Sequence, residues 1–251
     1  MERLSELLFE LSNEDRLRIL TELEESPAKL THISQKLDLT VQETSRHLAR
    51  MTKAGLIGKT SKGQYQSTSY GTQIIELLPS FEFLSSNREY FTGHSVSGLP
   101  RRFIGRLGEL AQSIFADNAV VLFQQVDSLV SQAEKFVWIQ SDQALASTLP
   151  LMVGAMERGA TIRTLLPPDL GPPNIPGEMI PDFSSYRSGQ MENRHLESID
   201  VLTILSEKSA VVAFPNLEGR MDYLGFSIND EMGLDWCKDL FLHFWEQGVP
   251  I

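Results

Sequence analysis

The sequence contains a single cysteine, Cys237, among 251 residues. One thiol cannot form a disulfide within the chain, and it excludes a cysteine-rich metal site. Cys237 lies in a helix-like apolar stretch, where a small packed side chain is a more frequent role than a redox sensor. The sequence therefore predicts neither a disulfide framework nor a metal site, and it calls for no cofactor.

Long apolar runs are also missing, because no segment approaches the ~20 residues that a membrane-spanning helix needs. Residues 1–11 form an acidic amphipathic segment and do not resemble a signal peptide. We therefore expect a cytoplasmic protein with no membrane partner.

Basic residues are in short supply: 22 lysines and arginines face 33 acidic residues, for a net charge of −11. This balance excludes a protein that coats nucleic acid without selectivity. Residues 40–65 are the exception, with five basic residues and one acidic residue. A small positive face on an acidic body is typical of specific, dimer-assisted DNA binding.

Residues 12–70 have the pattern of a winged helix-turn-helix. Pro27 should end the first helix, and Gly55 can adopt the left-handed conformation that ends the third. Ser12, Thr31 and Thr40 are the expected N-caps. The predicted helices span 12–24, 30–37 and 40–54, and the predicted hairpin pairs 56–59 with 64–67.

The third helix should read DNA. Val41, Thr44, Leu48 and Met51 recur at helical spacing and predict its buried face. The opposite face carries side-chain types that bind bases and phosphates, although any three-helix domain also exposes a solvated polar face. The expected DNA contacts are Thr40, Gln42, Glu43, Ser45, Arg46, His47, Arg50 and Lys53 on the helix, and Lys59, Lys62 and Tyr65 on the wing.

The rest of the chain alternates between helix-like and strand-like segments, which predicts an α/β sensor-like domain with a mixed sheet. The overall fold class is thus α+β. We expect a DNA-binding domain over 1–80, a helical linker over 81–118 and an effector or dimerisation domain over 119–251. Helices are expected at 71–84 (interrupted at Pro79), 101–115, 119–133, 143–158 and 230–247, and strands at 135–140, 161–166, 192–196, 200–206, 210–214 and 223–227.

The N-terminal stretch LDLTVQETSRHLARMTKAGLIGK (37–59) resembles archaeal winged-helix regulators of the arsenic-repressor-like class. Residues 94–110, 134–142, 157–167 and 214–246 resemble the methanogenesis-regulatory-protein domain that follows such a module in archaeal regulators. The resemblance implies a homodimeric transcriptional regulator. The chain departs from metal-sensing relatives, because it lacks the paired cysteines of their sensing helix.

Motifs for catalysis are not evident. Gly93-His94-Ser95-Val96-Ser97 approaches a nucleophile elbow, but its second glycine is displaced to Gly98. No histidine is followed two positions later by lysine, and neither a phosphate-binding loop nor a zinc-protease motif occurs. We therefore expect no enzymatic activity.

A ligand pocket in the second half is a separate hypothesis. Polar side chains that border the predicted sheet are its candidates, and the arginines among them favour a small anionic effector. Arg163 stands out because a charge inside a strand needs a partner. Structural ion pairs or a solvated edge would explain the same residues. The candidates are Ser141, Arg163, Arg187, Arg194, His195 and Asp222.

Two functions fit these observations. The first is a ligand-responsive, homodimeric transcriptional regulator that binds double-stranded DNA. The alternative is a protein-interaction module whose winged helix docks a partner from the transcription machinery. Strong salt dependence of DNA binding would favour the first.

Overall fold

The computed structural model describes residues 2–144, 146–168 and 189–251 and divides the chain into two compact units, 1–79 and 80–251. No helix among the described residues is long and apolar enough to cross a membrane. The predicted fold class is confirmed, since helices and a mixed sheet both occur.

The first unit is a winged helix. Its core packs Ile19, Leu20, Ile33, Leu48 and Met51, all of them buried. The elements are α1 (Glu2–Leu11), α2 (Glu14–Glu25), α3 (Leu30–Lys36), α4 (Val41–Lys53), β1 (Ile57–Lys59), β2 (Tyr65–Ser67) and α5 (Ser69–Ser86), which continues past the boundary between the units.

Two of the three predicted N-caps are wrong. Asn13, not Ser12, caps α2, and its side chain accepts a hydrogen bond from the Arg16 backbone at 3.1 Å. The Ser12 hydroxyl donates to the Phe9 carbonyl instead. Lys29 precedes α3 without a side-chain cap, so Thr31 lies inside that helix. Helix α5 runs through Pro79 without the predicted interruption.

The second unit is built around an eight-stranded sheet. Its strands are β3 (Ile114–Ala116), β4 (Phe136–Gln140), β5 (Thr161–Leu166), β6 (Met191–His195), β7 (Leu202–Ser206), β8 (Ala210–Ala213), β9 (Gly225–Ile228) and β10 (Val249–Pro250). Its helices are α6 (Arg88–Gly93), α7 (Arg101–Ile104), a 3₁₀-helix (Leu107–Leu110), α8 (Ala119–Gln132), α9 (Thr148–Glu157) and α10 (Glu231–Trp245).

The strand order is β10-β6-β5-β4-β7-β8-β9-β3, with β4, β5 and β6 parallel and the other pairs antiparallel. Alternate residues of β4 face opposite sides, so Val137 and Ile139 pack in the cluster that contains α8 and α9, whereas Trp138 packs in the cluster that contains α10. Helices therefore cover both faces of the sheet, which explains why β7 and β8 are buried throughout.

Residues 81–118 do not form a linker. Phe83, Tyr90, Leu99 and Phe103 are buried in the same cluster as Trp236. The predicted helix over 101–115 is also wrong: it divides into α7, the 3₁₀-helix and strand β3, which pairs with β9. Phe103, Leu107 and Leu110 are buried by this tertiary packing, which local periodicity does not reveal, whereas Ile114 is 63% exposed.

Candidate nucleic-acid interface

Helix α4 begins with a capping box. Thr40 Oγ1 accepts from the Glu43 backbone N–H at 3.2 Å, and the Glu43 carboxylate accepts from the Thr40 backbone N–H at 3.1 Å. The Thr40 hydroxyl also donates to the Glu43 carboxylate at 2.6 Å. This hydrogen bond, followed by the one from the Thr40 backbone, holds the pKa of the Glu43 carboxyl below its usual range. Both residues are predicted to contact DNA, and in the structure their side chains fix the start of the helix.

One face of α4 is anchored in the core. Thr44, Leu48 and Met51 are buried, and the Thr44 hydroxyl donates to the Thr40 carbonyl at 3.0 Å. Val41 was predicted to join this face, but it is 58% exposed because it lies at the first helical position, beyond the packed core. The anchored face holds the opposite face in a fixed orientation towards solvent.

The opposite face forms a polar ridge of Gln42, Arg46, Ala49 and Lys53, which we call the α4 ridge. These positions follow i, i+4, i+7 and i+11, and all four are exposed together with the adjacent Ser45. Gln42, Arg46, Lys53 and Ser45 form no hydrogen bond or ion pair with the described part of the chain. Their donors and acceptors therefore remain available to an external partner.

The wing is a short hairpin whose turn and second strand are both held by backbone hydrogen bonds. Its turn closes when Gly63, in the left-handed region at φ +75°, donates from its N–H to the Thr60 carbonyl. Tyr65 and Ala28 exchange two backbone hydrogen bonds of 2.8 and 2.9 Å, which tie the hairpin to the segment before α3. The Lys59 ammonium lies 5.4 Å from the Tyr65 ring centroid, and Lys62 is exposed at the tip.

Arg50 differs from the polar side chains of the α4 ridge because it forms an ion pair within its own chain. Its guanidinium forms two hydrogen bonds with the Glu10 carboxylate of α1, at 2.6 and 3.0 Å, and it lies over the Phe9 ring. Arg50 lowers the pKa of Glu10, and Glu10 raises that of Arg50. A DNA contact by Arg50, as predicted, would therefore compete with the Glu10 carboxylate.

We expect Glu10→Gln to tighten binding to every DNA sequence about threefold to tenfold, because it releases the exposed Arg50 guanidinium for phosphate contact. Arg16, which lies 3.3 Å from the same carboxylate, is buried and stays enclosed. The slope of log K against log salt should steepen by about one. Fluorescence anisotropy across a salt series measures both quantities. Glu6→Gln is the matched control, since it removes the same charge from an exposed position of α1. Equal effects of the two variants would contradict a specific role for the Glu10–Arg50 pair.

His47 lies at the edge of this surface and is half-buried. Burial lowers its pKa below the usual value, which outweighs the opposing influence of Asp15. Its Nε2 is 3.9 Å from the Asp15 carboxylate. We therefore expect a neutral imidazole near pH 7, which contributes no positive charge to DNA binding.

The predicted effector residues are engaged within the second unit. Arg163 lies between the rings of Trp138 and Trp245, 5.3 Å from each centroid, and pairs with Glu192 at 3.3 Å. Arg194 donates to the Trp245 carbonyl at 2.7 Å.

The other described candidates also have partners within the second unit. Ser141 Oγ accepts from the Gln143 backbone, and Asp222 lies 2.9 Å from His94 Nε2. His195 pairs with Val249 at the sheet edge, and Arg187 lies outside the described residues. The structure therefore does not gather the five described candidates into one pocket. In the described ranges, no group of three or more acidic, histidine or cysteine side chains is placed to hold a metal ion.

Comparison with known families places a winged helix-turn-helix at residues 16–85. The first unit is therefore a winged helix-turn-helix domain, by sequence as well as by structure. The match covers less than a third of the chain, and no curated protein matches it.

Solved structures show partial likeness. TrmBL2, described as an archaeal chromatin protein with a novel mode of DNA binding, is 15% identical over 95% of this chain and 94% of its own, with a TM-score of 0.47. HlyU from Vibrio cholerae is 28% identical over 32% of this chain and 91% of its own, with a TM-score of 0.28. NucT from Helicobacter pylori is 11% identical over 56% of this chain and 98% of its own, with a TM-score of 0.40. These scores are too low to define a shared fold for the chain.

Proposed function

We propose that this protein is a DNA-binding transcriptional regulator that inserts α4 into the major groove. The observation that carries the proposal is the α4 ridge, because its polar side chains have no partner in the described chain while the reverse face is packed in the core. A rigid helix with free base-reading groups is what major-groove recognition requires.

The side chains divide into two roles under this proposal. Arg46 can donate two hydrogen bonds to a guanine edge, and Gln42 can pair with an adenine edge. Lys53, Lys59 and Lys62 contact phosphates, which position the domain without selecting sequence. The net charge of −11 suppresses binding elsewhere on the surface.

The proposal includes a homodimer, since two copies would place two α4 helices in half-sites about one helical turn apart. Exposed apolar side chains on α1, Leu4, Leu8 and Phe9, support a further contact in the assembled protein. Sedimentation equilibrium of the full chain should give twice the monomer mass of 28.2 kDa. A monomer at micromolar concentration, with and without DNA, would contradict this part of the proposal.

We assign the second unit a sensing role and no reaction, in keeping with the regulators that the sequence resembles. The proposed regulation is therefore by ligand binding and not by a reaction: a ligand bound in the second unit alters the DNA affinity of the first unit.

Fluorescence anisotropy of the full chain tests DNA binding. Duplexes selected from a random pool are compared with scrambled duplexes across a salt series. We expect a preference of about 10³ and a log–log salt slope near −0.9 for each phosphate contacted. Lys62→Ala should weaken all duplexes equally. Weak, salt-insensitive binding with no selected sequence would overturn the proposal and favour a protein partner.

A further inference from the structure

The second unit contains a cavity of about 240 Å³ towards the carboxyl ends of β4 and β5. Its walls come from α9, from the segment before it, and from β4, β5, β6 and β7. Strands β4, β5 and β6 are parallel, and ligands of open α/β sheets bind beyond the carboxyl ends of such strands. The topology therefore gives this cavity a location typical of ligand sites.

The described part of the lining favours an uncharged ligand. Eight of the twelve described lining residues are apolar, among them Ile139, Met152 and Ile204, and none of the twelve carries a charged side chain. A carboxylate or phosphate buried here would lose its hydration without gaining a cationic partner. The arginines that suggested an anionic effector are not among the described lining residues.

Two of the polar lining residues, Thr164 and Asn193, are hydrogen-bonded to each other. The Thr164 hydroxyl donates to Asn193 Oδ1 at 2.6 Å, and both residues line the cavity. The bond fixes the Asn193 amide so that Oδ1 is occupied, while Nδ2 donates no hydrogen bond within the described residues. Asn193 is exposed and Thr164 is buried, so the pair extends from the opening towards the interior.

The volume limits the size of an occupant. An apolar cavity of about 150 Å³ is enough for benzene. The present cavity therefore accommodates on the order of ten non-hydrogen atoms.

We propose that this cavity binds a small, uncharged, mostly hydrocarbon molecule whose single acceptor oxygen is held by Asn193 Nδ2. The inference concerns binding to the second unit and does not depend on the proposed DNA-binding function. The failure of either would leave the other standing, because ligand binding is measured without DNA.

Three probes of equal heavy-atom count test the chemical class: cyclohexyl methyl ketone, isopropylcyclohexane and cyclohexanecarboxylate. Binding to the full chain is followed by NMR of ¹³C-methyl methionine, since Met152 and Met191 are the methionines among the described residues that line the cavity. We expect the ketone to perturb these two methyls, and to bind at least tenfold more tightly than the carboxylate.

Two variants locate the site. Asn193→Ala should weaken ketone binding about tenfold and leave hydrocarbon binding unchanged, because one hydrogen bond is lost. Asn229→Ala, the same change at an exposed position outside the lining, should have no effect. Ala144→Leu should abolish binding of both probes by filling the space.

The proposal would be overturned if neither the ketone nor the hydrocarbon shifted Met152 or Met191, or if the carboxylate bound most tightly. Ketone binding that is insensitive to both Asn193→Ala and Ala144→Leu would overturn it as well.

Discussion

Arg46→Ala should reduce the preference for the selected DNA over scrambled DNA by about 10- to 100-fold, which corresponds to roughly 1–3 kcal/mol. Arg46 is at the centre of the α4 ridge, it is exposed, and it has no hydrogen-bond or ion-pair partner in the described chain. The substitution therefore costs the fold little, and its effect reports on DNA contact. Anisotropy with both duplexes measures the ratio directly.

Arg46→Lys separates charge from geometry. Lysine keeps the positive charge but cannot make the planar two-point contact with a base edge. We expect Arg46→Lys to retain affinity for scrambled DNA and to lose most of the sequence preference. If Arg46→Ala left discrimination intact, the assignment of α4 as the reading helix would be wrong.

Gly71→Ala should destabilise the winged helix by about 3 kcal/mol or more. A Cβ at this position would lie 2.0 Å from the Leu56 carbonyl oxygen, which is a backbone atom that no rotamer change can move. Gly71 is buried, and its N–H donates to the Thr68 hydroxyl at 2.9 Å. The steric strain caused by the added methyl group would therefore arise where α5 packs against Leu56, between α4 and β1.

Hydrogen exchange of the full chain measures this effect within the first unit. Amides of α4 and β1 should exchange roughly a hundredfold faster, while β7 and β8 should be unaffected. Gly58→Ala is the matched control, since its Cβ would meet only the Thr68 methyl at an ordinary 3.6 Å. Normal protection in Gly71→Ala would contradict the close approach seen here.

The sequence predicts α4 well because its signals are local. Thr40, Glu43 and Gly55 lie within or beside the helix, and each acts on backbone groups close to itself in the chain. The buried positions at 44, 48 and 51 follow from periodicity alone. The capping box fits the same pattern, although Glu43 was assigned to DNA rather than to the cap.

Contacts between distant residues were beyond sequence reasoning. Glu10 and Arg50 are 40 positions apart. Nothing in either segment therefore indicates that the Glu10 carboxylate neutralises Arg50, a predicted DNA contact. Similarly, β3 pairs with β9 more than a hundred residues later, and that pairing turns part of a helix-like stretch into a strand.

Arg163 illustrates a partly successful inference. A charge inside a strand was expected to need a partner, and the structure supplies Glu192 and two tryptophan rings. Strand periodicity identifies the need but cannot choose between an internal partner and a ligand. The cavity was missed because its apolar lining resembles any other core in sequence.

Protection of a single thiol at the centre of the α4 ridge tests the central claim most directly. Cys237 is fully buried and burial raises the pKa of its thiol, so Ala49→Cys introduces a uniquely reactive group. We predict that duplex DNA at low salt slows maleimide labelling of the introduced thiol at 49 at least tenfold. Labelling of Glu24→Cys, exposed on α2, should be unchanged. If saturating DNA slowed labelling at position 49 no more than at position 24, insertion of α4 into the groove would be contradicted.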